Sequence, residues 1–375
     1  MNVKYCGPAL DYSGYGEANR HDIAALLTVN VGVNVELTRH CLEISEFGKL
    51  GNTIRELQGN NSPYRVKILH TTPNIYRQFI EPGIYHIARV FWETDKLPAD
   101  FAYGVNMCNE VWTGSEYNAK AIRSAGVTIP IFLIPEAIDT SITPDQIKPF
   151  LTANKDDFRF YSIFEWTERK NPGVLLEAYW LEFENTQNVS LTIKTYLDDF
   201  TAAKKNEIDN YIRKIKVRLG LKNYAPIYLY QQLLSRSQMY RFHRSFNCFV
   251  SPHRGEGWGI PQMEALLMGN AIISTNCGGV HEYFKNTIDA ILLEHTLTQV
   301  SNNRNGQWYQ PDQQWASVEV DTVRKALRWV FDHQAAAGET AKRGGSTVRQ
   351  LFSFKTVGDQ MAKRLRQIEE TFNAA

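Results

Sequence analysis

The residues best suited to chemistry lie in one short stretch. It reads Phe249-Val-Ser-Pro-His-Arg-Gly255-Glu256-Gly257-Trp258-Gly259-Ile260-Pro261-Gln-Met-Glu264. An apolar run ends at Ser251, three glycines follow, and Pro261 suits the first turn of a helix that Gly269 would stop. A glycine-rich loop between a strand's carboxyl end and a helix N-terminus presents free backbone N–H groups to an anion such as a phosphate. Glu256 and Glu264 flank this turn with seven residues between them. Carboxylates would repel a phosphate they touched. They make sense as acceptors of hydrogen bonds from hydroxyls on either side of a diphosphate, one on a sugar and the other on a ribose. Gly278-Gly279 downstream fits the same construction.

A second feature is Arg169-Lys170, just before a helix expected from Asn171. Cations at a helix start oppose its dipole, so an anionic ligand gives them a reason that local structure does not. The loop Gly7-Pro-Ala-Leu-Asp-Tyr-Ser-Gly14-Tyr-Gly16 also opens a helix. It lacks the third glycine of a dinucleotide-binding fingerprint, so a nicotinamide or flavin cofactor is not expected. Ser251 and His253 lack the context of a nucleophile elbow. No His, Asp and Glu set has metal-ligand spacing, so neither hydrolase chemistry nor a metal is expected.

Short apolar runs alternating with amphipathic patterns must position these groups. Strands are expected at 66–70, 86–92, 110–113, 131–135, 159–165, 190–195, 227–229, 248–251 and 271–274. Helices are expected at 17–28, 115–125, 171–185, 203–219, 235–245, 261–268 and 321–337. The alternation signals βαβ units and an α/β class with parallel sheets. The stretch 137–157, with Pro144 and Pro149, reads as a linker. It divides the chain into domains of residues 1–145 and 146–355. Val357, Met361, Leu365, Ile368 and Phe372 share one helical face, so a terminal helix at 356–375 can close one domain or return to the other.

With 375 residues, 43% hydrophobic and 22% charged, the chain has room for two or three cores. Lys and Arg total 41 against 40 acids, a net charge of +1, which argues against a nucleic-acid binder. Cys6, Cys41, Cys108, Cys248 and Cys277 are odd in number and widely spaced, so reduced thiols are expected. The N-terminus lacks an apolar leader and no run is long enough to span a membrane, so a cytoplasmic protein is expected. The basic residues Lys204, Lys205, Arg213, Lys214, Lys216 and Arg218 form a helix that is solvated, or meets an anionic membrane peripherally, or meets a polyanionic acceptor.

The motif EGWGIPQME, followed by GNAIISTNCGG and His281-Glu282, resembles the donor site of retaining GT-B glycosyltransferases of the broad family 4 group. Phe164–Pro172 and Leu234–Met239 are similar to neighbouring segments of that site. Phe91-Trp-Glu-Thr-Asp-Lys-Leu-Pro98, Val111–Asn118 and Ile134–Asp139 resemble the first half of one branch. The resemblance implies a GT-B fold, with two Rossmann-like α/β domains facing each other across a cleft. The first would take the acceptor and the second the nucleotide sugar.

By the same resemblance, Glu256 binds hydroxyls of the donor sugar and Glu264 the ribose. Lys170, with Arg169, neutralises the leaving diphosphate. Backbone groups of Gly257, Trp258, Gly259 and Ile260 support sugar and phosphate, and the loop carrying Gly14 and Gly16 borders the cleft. The implied reaction moves a hexosyl group from a nucleoside-diphosphate sugar to a hydroxyl with retention and without a metal. The acceptor would be a glycan, a lipid-linked group or a protein. Two positions depart from the pattern. Glu165 stands where an Arg is usual, and Arg169 compensates. Where many members carry a His, Glu93 or Thr94 stands, so either Glu93 or the nearby His70 serves in its place. A GT-B epimerase, a phosphorylase and a non-catalytic sugar-nucleotide or glycan-binding module are the alternatives. The intact Glu256, Glu264 and Lys170 argue against the last.

Overall fold

The computed structural model describes residues 1–39, 47–150, 157–184, 188–284, 290–301 and 306–374. Cys41, residues 151–156 of the linker and the expected helix end at Asn185 fall outside them. The chain divides into two compact units, Met1–Ser141 with Val348–Ala375, and Ile142–Thr347. No described helix is long and apolar enough to cross a membrane.

The first unit is built on strands β1 (Asn2–Gly7), β2 (Gly32–Leu37), β3 (Val66–Leu69), β4 (Tyr85–Arg89), β5 (Glu110–Thr113) and β6 (Ile131–Leu133). They form one parallel sheet in the order β2-β1-β3-β4-β5-β6. The second unit repeats the design with β7 (Phe158–Glu165), β8 (Val189–Tyr196), β9 (Ile227–Tyr230), β10 (Cys248–Ser251), β11 (Ala271–Thr275) and β12 (Ile291–Leu293). Their order is β12-β11-β10-β7-β8-β9, again parallel. Each unit is therefore a doubly wound α/β fold. Strand order reverses between β1 and β3 in one sheet and between β7 and β10 in the other. Ligands of open parallel sheets bind at the carboxyl ends of strands flanking such a reversal.

The terminal helix, Phe354–Ala374, belongs to the first unit. Its Val357, Met361, Leu365 and Ile368 are buried in that unit's core. Burial of such side chains contributes roughly 1.5–3 kcal/mol each. Gly358 brings this helix against the Gly14–Thr28 helix so closely that a Cβ would lie 2.3 Å from the carbonyl oxygen of Ala25.

Several elements differ from the sequence reading. The helix expected at 321–337 is two, Val320–Asp332 and Gln334–Leu351. His333, at φ −120° and ψ 44°, leaves helical geometry between them. The strand expected at 86–92 ends at Arg89. Strand β2 and the helices Gly48–Gln58, Ala99–Val105 and Val280–Phe284 were not expected, nor was the antiparallel hairpin of Thr296–Gln299 with Gln314–Ser317. Cys6, Cys108, Cys248 and Cys277 are buried free thiols.

Candidate active site

The second unit's strand reversal is where its charged motifs meet. After β7 the chain makes a short turn, Glu168–Lys170, and Asn171 takes a left-handed conformation (φ 56°) before the Pro172–Glu182 helix. After β10 it runs through the glycine-rich loop. The two loops are tied by backbone and side chain. Arg254 N–H donates to the Arg169 carbonyl at 2.7 Å, and Asn171 Nδ2 donates to the Pro252 carbonyl at 3.0 Å. Lys170 Nζ donates to Glu256 Oε2. Arg169 donates to the Gly255 carbonyl at 2.9 Å and lies 3.8 Å from Glu256 Oε2. Burial pushes the Glu256 carboxyl upward, but Lys170 first, then Arg169, hold it below its ordinary value. Glu256 is therefore an anion at neutral pH.

Glycines allow this construction. Gly259 (φ +87°) caps the Ile260–Leu267 helix, and Pro261 lies in its first turn. Gly279 packs against the loop so tightly that a Cβ would lie 1.9 Å from the Gly257 carbonyl oxygen, while its N–H donates to the Glu256 carbonyl at 2.8 Å. Trp258 is buried, its ring 5.5 Å from that of Tyr283. His253 is a neutral structural group. Burial takes it down to about 4, and its Nε2 is 3.0 Å from the Cys277 carbonyl.

Glu264 is buried on the Ile260–Leu267 helix. One carboxylate oxygen accepts from Arg236, and the other lies 3.2 Å from His243 Nε2. His243 Nδ1 meets Tyr161 Oη at 2.6 Å, and Asn270 Nδ2 donates to that hydroxyl at 2.7 Å. Arg236, His243 and Tyr161 were not singled out from sequence. The usable signal was the Ser235-x-x-Gln238 capping box, which starts a helix whose first residue is Arg236. Glu165 ends β7 half-buried, and burial raises its carboxyl. The Arg169 guanidinium lies 5.9 Å from the Tyr309 ring centre.

In the first unit, the loop after β1 is braced by Arg20, whose guanidinium donates to the carbonyls of Ala9 and Asp11, both at 2.8 Å. Ser13 caps the Gly14–Thr28 helix by accepting from Gly16 N–H at 3.3 Å. A Cβ on Gly16 would lie 2.1 Å from the Asp11 carbonyl oxygen, whereas one on Gly14 would meet nothing within 4 Å. His70 follows β3 and is buried. Its Nδ1 meets Tyr5 Oη at 2.6 Å and lies 3.5 Å from Asp22. Asp22 in turn receives two hydrogen bonds from buried Arg89, at 2.9 and 3.1 Å. Burial holds His70 below its ordinary value against the pull of Asp22. Glu93 lies half-buried in the loop after β4, where Tyr117 Oη donates to its carbonyl at 3.4 Å. Glu136, beyond β6, is fully buried, and burial raises its carboxyl strongly.

The basic helix is Ala202–Leu219, and much of its charge is engaged. Lys204 pairs with Asp198 at 2.9 Å, Arg218 with Glu177 at 2.5 Å, and Lys216 lies 5.1 Å from the Trp180 ring centre.

Residues 144–304, within the second unit, match the family model described as "Glycosyl transferases group 1". A stretch of 163 residues is 27% identical to an uncharacterized glycosyltransferase of Methanocaldococcus jannaschii, covering 43% of this chain and 36% of that relative. The match thus spans about a third of that relative's length. The structure superposes on Anabaena HepE solved with UDP and glucose, with a TM-score of 0.67 at 13% identity over 98% of this chain and all of that one. Sucrose-phosphate synthase of Thermosynechococcus elongatus gives 0.71 at 14% identity over the full length of both. A glycosyltransferase of Rickettsia africae gives 0.67 at 14% identity over 98% of each chain. The chain therefore has the fold of GT-B glycosyltransferases, two α/β units each with a six-stranded parallel sheet, and a group 1 glycosyltransferase match lies within its second unit.

Proposed function

We propose that the chain transfers a hexosyl group from a nucleoside-diphosphate sugar to an acceptor hydroxyl, with retention of anomeric configuration. One observation carries the reading. Two cations and a buried carboxylate converge at the strand reversal, beside a glycine-rich turn into a helix N-terminus. In this reading Glu256 accepts hydrogen bonds from donor-sugar hydroxyls, and Lys170 with Arg169 faces the diphosphate. Charge grows on the leaving oxygen as the glycosidic bond breaks, and fixed cations with backbone N–H groups from Gly257 to Ile260 lower that barrier. Glu264, oriented by Arg236 and His243, holds the ribose. The acceptor hydroxyl attacks from the leaving group's own face and passes its proton to the departing phosphate, which preserves the anomer. Two cations supply the neutralisation, so no metal enters the reading.

Glu93 is read as the residue orienting the acceptor hydroxyl. His70 has Nδ1 against Tyr5 and Asp22, which suits a role in shaping the strand end. The acceptor is read as a glycan, a lipid-linked group or a protein. The test is release of nucleoside diphosphate from a panel of sugar nucleotides, with and without oligosaccharide acceptors. Turnover that needs both substrates and is lost in Lys170→Met supports the reading. Full activity in Lys170→Met or Glu256→Gln refutes the assignment of the site.

A further inference from the structure

Lys194 is a buried lysine that the proposed reaction does not use. It lies on β8, two residues before the strand's end, and is 9% exposed. In register it stands opposite Ile163 of β7 and Tyr230 of β9. Side chains alternate along a strand, so Lys194 shares a face with Tyr161, Ile163 and Tyr230. The helix Arg236–His243 covers that face. Tyr161 packs 5.5 Å from the His243 ring, and Tyr230 packs 5.4 Å from the Phe242 ring. Among the described residues of these elements, Glu165 at the end of β7, Tyr196 at the end of β8, and Arg236 with Tyr240 of the covering helix are the other charged or titratable groups toward the carboxyl end. Among the described residues the Lys194 side chain has no hydrogen bond or ion pair, its backbone being paired in the sheet. Burial takes its ammonium down to about 8, so it stays mainly charged at neutral pH, where a desolvated cation needs an acceptor.

The donor reading, on which this inference rests, says what would approach it. The diphosphate lies at the β7–β10 reversal and the ribose at Glu264. Arg236, which touches Glu264, begins the helix after β9. Going from phosphate through ribose leads away from the reversal toward β8 and β9. The base therefore comes over the carboxyl ends of these two strands, where Lys194 lies. An ammonium group only donates hydrogen bonds. It matches a keto oxygen on a base edge and is mismatched to an exocyclic amino group at the same position.

We infer that Lys194 reads the base of the donor nucleotide, favouring a keto base (uracil, thymine or guanine) over an amino base (cytosine or adenine).

The experiment is calorimetric titration of the full chain with UDP, dTDP, GDP, CDP and ADP, in wild type and Lys194→Met. The expected result is tightest binding by a keto-base diphosphate. Its affinity should fall roughly 10- to 100-fold in Lys194→Met, the range for a hydrogen bond to a charged group. The amino-base diphosphates should change less than about threefold, within the context-dependent spread of a single contact, so that discrimination collapses. Circular dichroism establishes that the variant is folded. Lys194→Gln, which keeps a donor, should recover part of the discrimination. Tightest binding by CDP or ADP, an equal loss for all five, or no loss at all overturns the inference. Failure of the wild type to bind any of the five overturns the donor reading itself, and this inference with it.

Discussion

Lys170 and Glu256, 86 positions apart in sequence, form an ion pair where the loop after β7 meets the loop after β10. The pair is largely buried, with side-chain exposures of 13% and 10%. Removing Lys170 leaves the buried Glu256 carboxylate balanced only by Arg169, 3.8 Å away, and without its hydrogen-bonded cation. Lys170→Met should therefore cost about 3 kcal/mol of stability and reduce kcat by roughly 10²- to 10³-fold, as for loss of a transition-state donor. The double variant Lys170→Met with Glu256→Gln should recover most of the thermal stability and none of the activity. Recovery of both would mean that the pair is purely structural.

Two glycines should behave oppositely. Gly279→Ala must displace the Gly257 backbone, because the new Cβ would lie 1.9 Å from its carbonyl oxygen. Thermal unfolding should show a loss of at least about 2 kcal/mol, as expected for overpacking against backbone, together with weaker donor binding. Gly14→Ala meets open space at a helix start. Its stability should be unchanged or higher by up to about 1 kcal/mol. A raised Michaelis constant without destabilisation would then report that Gly14 borders a substrate.

Arg364 anchors the terminal helix to the first unit. Its Nη2 donates to Glu110 Oε2 at 2.6 Å, Nε reaches both carboxylate oxygens at 3.2 Å, and the Glu110 side chain is fully buried. Arg364→Met should cost about 3 kcal/mol. Arg364→Met with Glu110→Gln should cost less than the single change. Denaturant unfolding of both variants checks this, and equal losses would show that the carboxylate is not the reason.

Lys194 predicts a pH dependence of its own in the ligand-free chain. Its folded value, about 8, lies below the ordinary 10.5. Between those limits the unfolded chain binds more protons than the folded one, so stability should rise with pH across that window. A shift of this size corresponds to about 3 kcal/mol. Lys194→Met should be more stable than wild type at pH 7, and the gap should narrow from pH 8 to 10.5. A gap independent of pH would contradict burial of a titrating ammonium.

Local chemistry made part of this molecule legible from sequence. Alternating apolar runs announced two α/β halves; Gly259 and Pro261 marked where a strand hands over to a helix, and Gly269 where that helix stops. What escaped notice depends on partners distant in sequence. Strand β2 was hidden because Asn34 stands buried among its apolar residues, where it donates to the Ser62 carbonyl at 2.7 Å and accepts from Asn2 Nδ2 at 3.1 Å. The helices at Gly48 and Ala99 start at Phe47 and Pro98, neither of which caps with its side chain. The strand Thr296–Gln299 is exposed along its whole length, so no apolar alternation marks it. In the candidate site, Glu256 and Lys170 were recognisable by motif. The Arg236–Glu264–His243 cluster was not, because it exists only once the helix after β9 packs beside the helix after β10.

The proposed reaction is glycosyl transfer with retention of configuration. It is tested most directly by nuclear magnetic resonance of the product formed from an α-linked nucleotide sugar accepted by the chain. An α-linked product is expected from the first turnover, with one nucleoside diphosphate released per bond formed. A β-linked product, or no diphosphate release from any donor with any acceptor, would contradict it.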